Sequence, residues 1–174
     1  TMTDSLTETE IGFPPLVGAS PRFLVLGSMP GVKSLSEQQY YAHPRNAFWP
    51  IMAKLFGFDP TLDYEERCTF LMQSGMAVWD VLYTCRRPGS LDANIDSTSM
   101  ETNNFRSFFH QYASISTVLF NGAKAEAVFQ QILPSLDETQ RSAISMERLP
   151  STSPAHASLS FEQKLAAWRA AFSA

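Results

Sequence analysis

Apolar residues recur along this chain in two alternating rhythms. An apolar run at residues 23–26 and a mostly apolar one at 76–83 read as strands of a sheet, as do residues 115–121 and 143–149. Between and after them, residues 48–56, 63–74, 123–133 and 161–172 place apolar side chains at helical spacing, as in Phe161, Leu165, Trp168 and Phe172. Acids open the helix from residue 63 and Gly75 is placed to end it, while Thr102 or Asn103 can cap another running to about residue 112. The segment 84–99 is too rich in Arg, Pro, Gly and Asp to be core and reads as a long loop. Strands alternating with helices predict an α/β protein, a three-layer α/β/α sandwich around a central four-stranded parallel sheet with right-handed crossovers. The chain shows no internal repeat and no linker, so one domain over residues 1–174 is expected, with an acidic N-terminal tail (1–20) as its flexible segment.

Composition narrows the class. With 174 residues and 44% hydrophobic content the chain can bury one sizeable core. Its apolar runs fall short of the roughly 20 residues that cross a bilayer, and residues 1–18 are polar, acidic and proline-containing, unlike a signal peptide. A cytoplasmic protein without a membrane partner is expected. Cys68 and Cys85 read as free thiols, and two cysteines cannot supply the four thiolates of an iron–sulfur cluster. The three histidines are far apart and no Cys/His spacing fits a ligand set, so neither a metal nor a cofactor is expected.

A net charge of −4 argues against a nucleic-acid packaging protein, but an enzyme needs only one locally basic face. The acids gather at 1–10, 59–66 and Asp137-Glu138, whereas Lys33, Arg45, Arg86, Arg87 and Arg148 lie near the motifs described next. That distribution fits a DNA face opposite an acidic back, and equally a scattered solvated surface.

One stretch stands out chemically. Leu26-Gly-Ser-Met-Pro-Gly31 leaves the first strand, and Gln39-Tyr-Tyr-Ala-His-Pro-Arg-Asn46-Ala-Phe-Trp49 enters the next helix. Ligands of parallel sheets bind just past the carboxyl ends of the strands, and so polar a loop is costly to order without a function. The stretch resembles the uracil-DNA glycosylase superfamily, whose mismatch-type members carry Gly-Ile-Asn-Pro-Gly and an aromatic-Ala-His-Pro-x-Asn-x-Phe-Trp segment. Leu149-Pro-Ser-Thr-Ser-Pro-Ala-His156 is similar to that family's Pro-Ser loop before the last helix. The resemblance runs from about residue 22 to 172. Met29 stands where mismatch-type members have a water-positioning Asn, while Asn46 is retained, and that combination is most similar to the hypoxanthine-DNA (deoxyinosine) glycosylase branch.

The resemblance implies hydrolysis of an N-glycosidic bond after the base is rotated out of duplex DNA into a pocket. The transition state is an oxocarbenium-like sugar with charge moving onto the departing base, so catalysis needs a placed water and donors aimed at the base. Asn46 is the implied catalytic residue, able to hold water through its amide, although it can also cap the helix that follows. Tyr41 takes the place of the stacking aromatic. Gly27, Pro30 and Gly31 would floor the pocket, Ser28 would donate to the base edge, and Met29 would line it as an apolar wall. Tyr40, Phe48 and Trp49 are expected in the core, and His43 is expected to bond loop backbone.

Asp80, at the place where uracil-specific relatives carry a base-reading Asn, either accepts N1–H of hypoxanthine, donates when protonated, or is a structural carboxylate paired with Arg86 or Arg87. Lys33, Arg45 and the loop Pro150, Ser151, Thr152, Ser153 and His156 would grip DNA through phosphates. The expected partner is double-stranded DNA carrying a deaminated base, with the protein a monomer. A uracil/thymine mismatch glycosylase and a noncatalytic DNA-binding module on this fold are the alternatives. A nucleotide-binding enzyme is weak, because the chain has neither Gly-x-Gly-x-x-Gly nor a P-loop.

Overall fold

The computed structural model describes residues 8–173. In chain order, Thr9–Ile11 (β1) and Phe23–Gly27 (β2) precede two helices, Val32–Glu37 (α1) and Phe48–Phe56 (α2). Helix Tyr64–Gln73 (α3) leads into strands Met76–Asp80 (β3) and Leu82–Arg86 (β4). After Glu101–Thr102 (β5) come Phe105–Gln111 (α4), Thr117–Asn121 (β6), Ala123–Ile132 (α5), Glu138–Ala143 (α6), Ser145–Leu149 (β7) and Phe161–Ala171 (α7).

The central sheet has the order β3-β2-β6-β7, and every neighbouring pair in it is parallel. Because side chains alternate across a strand, each strand feeds both faces. Leu24, Leu26, Ala77, Trp79, Val118 and Phe120 point into one core with the phenylalanines of α4 and the apolar stripe of α5. Val25, Met76, Val78 and Leu119 point into the other, against α2, α3 and α7. Strands buried on both faces read as apolar runs, which is why β2, β3 and β6 were visible in sequence; β7 is the exposed edge strand, buried only at Leu149. The expected three-layer α/β/α sandwich around a four-stranded parallel sheet is the fold observed.

Two expectations need correction. The expected strand over 76–83 breaks at Val81. β3 ends at Asp80 in the central sheet, and β4 joins β1 and β5 in a small antiparallel sheet. The amide of Asn103 bridges the corner, donating to the carbonyls of Asp80 and Leu82 at 2.7 and 3.3 Å. The segment 84–99 is therefore partly strand and short helical turns rather than loop throughout.

The other correction is the N-terminal tail. Residues 1–7 lie outside the described residues, but from Thr9 the chain is built into the fold. β1 pairs with β4, Leu16 pairs with Val78, and Phe13 is buried with its carbonyl accepting from Trp79 Nε1 at 3.0 Å. Its ladder is main-chain hydrogen bonding, which needs no apolar pattern.

Candidate active site

The carboxyl ends of the central strands converge on one cleft of about 850 Å³. Gly27 ends β2, Asp80 ends β3 and Asn121 ends β6, while β7 runs out into the loop that begins at Pro150. The glycine at position 27 is a steric requirement. A Cβ there would lie 2.5 Å from Asp80 Oδ1 and 2.9 Å from the Tyr41 hydroxyl, so those two groups close over the backbone where any side chain would stand.

Among the described residues, the buried Tyr41 hydroxyl and Asp80 Oδ2 have no hydrogen-bond partner, Asn121 lying near the hydroxyl but outside bonding geometry. Buried polar groups are nearly always paired, because an unmade bond costs about 1–3 kcal/mol. Burial pushes both acids up. The Tyr41 phenol is held neutral by desolvation and then by the Asp80 charge. The Asp80 carboxyl rises to about 7, first through desolvation, then through Asp92, against a smaller opposing pull from Arg87. Asp80 bonds neither arginine that sequence offered as a structural partner. Arg86 pairs with Asp96 at 3.0 Å, and Arg87 with Glu10 at 2.7 Å.

Tyr41 has a positive φ of 55°, a conformation that costs energy in any residue with a side chain. Its ring stacks on Phe48 at 4.1 Å between centroids, which fixes the hydroxyl against Gly27. Tyr40 is buried, with Trp49 Nε1 donating to its carbonyl, as expected of core residues. His43 Nδ1 accepts from the Arg45 backbone N–H at 3.1 Å, the loop role expected for it.

Asn46 lines the same cleft, and its Oδ1 accepts from the Phe48 N–H at 2.9 Å. Asn46 thus closes a turn leading into α2, whose N-cap is Ala47, and what it can turn toward a ligand is its amide NH₂ and the second lone pair of the oxygen. Closing the turn and facing the cleft are compatible.

Ser28, Pro30, Gly31 and Lys33 also line the cleft. Met29 reaches it too, but the side chain is mostly committed to the core on the α4–α5 side of the sheet. Lys33 is exposed and paired with Glu37 at 2.9 Å. Arg45 is exposed, and neither it nor Pro150 is part of the cleft lining.

In the second motif, Ser151, Ser153 and His156 face the cleft. Thr152 corrects the expectation of a DNA-gripping hydroxyl. It is 1% exposed, its hydroxyl accepts from Asn121 Nδ2 at 2.9 Å, its N–H donates to Asn121 Oδ1, and its carbonyl accepts from Ala47 N–H. Thr152 borders the cleft but fastens β6, the Pro-Ser loop and the start of α2 together, its backbone groups and hydroxyl oxygen engaged inside the protein. Trp168 and Lys164 of α7 hold the same loop by donating to the carbonyls of Pro150 and Ser153. Gly122, at φ 96°, lets Ser151 pack where a Cβ would stand 3.2 Å from the serine's own.

Sequence reasoning missed several groups. Ser90, Leu91 and Asp92 reach the cleft from the segment read as loop, as do Asn121 and Lys124 from β6 and α5. Arg87, with no exposed side chain, binds the Pro30 carbonyl at 2.5 Å and Glu10, pinning the first motif from below. Among the described residues, no group of three His, Cys, Asp or Glu is placed to hold a metal, and no helix is long and apolar enough to cross a membrane.

The cleft thus lies at the carboxyl edge of a parallel sheet, with a glycine floor beneath two unpartnered polar groups and an asparagine on its wall, in a chain similar to several known proteins. The family model for the uracil DNA glycosylase superfamily matches residues 14–172. A hypoxanthine DNA glycosylase of Methanosarcina barkeri is 35% identical over 115 residues, 66% of this chain and 72% of that protein. One of Methanosarcina acetivorans is 32% identical over the same shares. A solution structure from Methanosarcina acetivorans, provisionally described as a uracil DNA glycosylase, superposes with a TM-score of 0.76 at 27% identity, covering 94% of this chain and 98% of that one. The chain belongs to the uracil DNA glycosylase superfamily.

Proposed function

We propose that this DNA glycosylase acts as a monomer on double-stranded DNA, takes a flipped hypoxanthine into the cleft and hydrolyses its N-glycosidic bond, with Asn46 positioning the water. The observation that carries the reading is the pair of buried, unpartnered polar atoms on Tyr41 and Asp80 above Gly27. Their unmet bonding capacity is what the polar edge of a base would satisfy. A carboxyl that is half protonated near pH 7 can donate to a ring acceptor, so Asp80 suits a 6-oxopurine carrying acceptors at O6 and N7. Two relatives are named hypoxanthine DNA glycosylases, and Met29 offers no amide for the mismatch-type water.

Ser151, Ser153 and their backbone would grip the flanking phosphates, with Lys33, Arg45, Lys124 and His156 around the cleft completing the DNA face. The loop's stiffness comes from its prolines and from the anchors on Thr152, Lys164 and Trp168.

The test is incubation with duplexes carrying one hypoxanthine, uracil, xanthine or thymine mismatch, with and without alkali. Hypoxanthine duplexes should be converted fastest, and uracil released faster than hypoxanthine would overturn the substrate assignment. Strand breaks should require alkali. A lyase step needs an amine of depressed pKa at the sugar, and Lys164, whose ammonium burial pushes down, lies outside the cleft lining and donates to the Ser153 carbonyl. A borohydride-trapped covalent adduct would contradict this.

A further inference from the structure

Ser28 and Asp92 are 64 residues apart, and the Ser28 hydroxyl donates to Asp92 Oδ1 at 2.5 Å. Ser28 leaves the end of β2 and is 8% exposed, while Asp92 comes from the segment that follows β4. Both line the cleft that holds Asp80, whose Oδ2 is buried and unpartnered. A serine hydroxyl has one hydrogen and two lone pairs. With the hydrogen committed to a carboxylate, which cannot return one, the lone pairs are all that Ser28 can offer a ligand.

The sequence-based expectation that Ser28 donates to the base is therefore reversed by its partner. We propose that Asp92 is a specificity-determining positioning residue, which fixes Ser28 as an acceptor so that the cleft takes a ring N–H and rejects a ring nitrogen lone pair. This rests on the functional reading above. Among purines the distinction separates hypoxanthine, protonated at N1, from adenine, whose N1 is a bare acceptor. Adenine is one of the undamaged bases that such an enzyme must refuse in large excess. A lone pair set against a lone pair leaves two buried acceptors unmet, the kind of mismatch that discriminates far more strongly than a change of apolar volume.

The same bond also latches the 88–94 segment over the first motif, helped by the Val32 N–H donating to Ser90 Oγ at 2.9 Å. Latch and polarity are separable. Asp92→Asn is isosteric and can keep the latch by donating its own NH₂ to the serine oxygen, which frees the serine hydrogen to face the ligand. Asp92→Ala removes the latch altogether.

The experiment measures equilibrium binding of the full chain to oligonucleotides carrying hypoxanthine or adenine on an uncleavable 2′-fluoroarabino sugar. Each is placed opposite an abasic analogue, so that neither base is paired. Release from an ordinary deoxyinosine duplex is assayed alongside. The wild-type protein should bind hypoxanthine more tightly than adenine, and Asp92→Asn should lower that preference at least tenfold. Equal weakening for both bases in Asp92→Asn and Asp92→Ala would mean a latch only and would overturn the proposal. If the wild-type protein prefers hypoxanthine in binding but releases none from deoxyinosine DNA, the functional reading fails and the inference falls with it, an outcome distinct from the latch result.

Discussion

Replacing Asn46 with alanine should lower single-turnover release of hypoxanthine by at least a hundredfold, about 2.7 kcal/mol of transition-state stabilisation, while lesion DNA is still bound. The side chain sits on the cleft wall with its oxygen bonded to Phe48 N–H, so the substitution removes both the turn's hydrogen bond and the group proposed to place water. The first loss is modest, about 1 kcal/mol for one such hydrogen bond, and α2 is held by the burial of Phe48, Trp49, Ile51 and Met52. Asn46→Asp separates the two roles. It keeps an acceptor for the Phe48 N–H, loses the amide donor and adds a negative charge, so full turnover in Asp with loss in Ala assigns the effect to the oxygen, and loss in both shows that the neutral amide is required. Single-turnover kinetics together with thermal melting of both variants check it. Near-normal turnover in Asn46→Ala would reduce the residue to a turn former before α2.

Asp80 carries the second large expectation, through pH. Its carboxyl titrates near 7 in the folded protein because burial and the neighbouring Asp92 charge oppose ionisation. An acid raised above its unfolded value is favoured by folding when protonated. Its contribution is therefore full below about pH 4, declines as the pH rises through the folded value near 7, and leaves a constant penalty above that. Asp80→Asn cannot ionise. It should match the wild type in stability at pH 4 and exceed it at pH 8 by a few kcal/mol, since each tenfold loss of acidity on folding corresponds to about 1.4 kcal/mol. In a chain of this length that is several degrees in Tm.

Function should move with the same group. If protonated Asp80 donates to the base, hypoxanthine release by the wild type falls as pH rises through about 7, whereas the amide of Asp80→Asn donates at every pH and flattens the profile. Melting curves and rate profiles between pH 5 and 9 read both effects. A wild-type rate that climbs through pH 7 would show the carboxylate to be the working form.

The main architecture was legible because its signal is collective. Three strands buried on both faces, β2, β3 and β6, cannot avoid apolar runs, and α7 repeats Phe161, Leu165 and Trp168 over several turns. What stayed hidden was short or long-range. β1 is three residues whose pairing with β4 is carried by backbone, and the break at Val81 leaves the apolar run uninterrupted in sequence. The candidate site divides the same way. Gly27, Tyr41 and Asn46 sit in a compact motif, so residue type and order were informative. Asp92, Arg87 and Asn121 act across separations of 64, 57 and 31 residues on Ser28, Pro30 and Thr152, and nothing local marks them. Thr152 shows the opposite failure, since a hydroxyl in a plausible loop does not reveal which way it faces. The chemistry of the site likewise depends on burial: Asp80 is an ordinary carboxylate in sequence and a candidate acid only because Gly27 and Tyr41 close over it.

The most direct test of the account is mass-spectrometric detection of the free base after incubating excess protein with duplex DNA containing one deoxyinosine. The account predicts one equivalent of hypoxanthine in solution and an abasic strand with its phosphodiester backbone intact. Hypoxanthine left attached to the DNA, whether the strand is whole or cut, would contradict it.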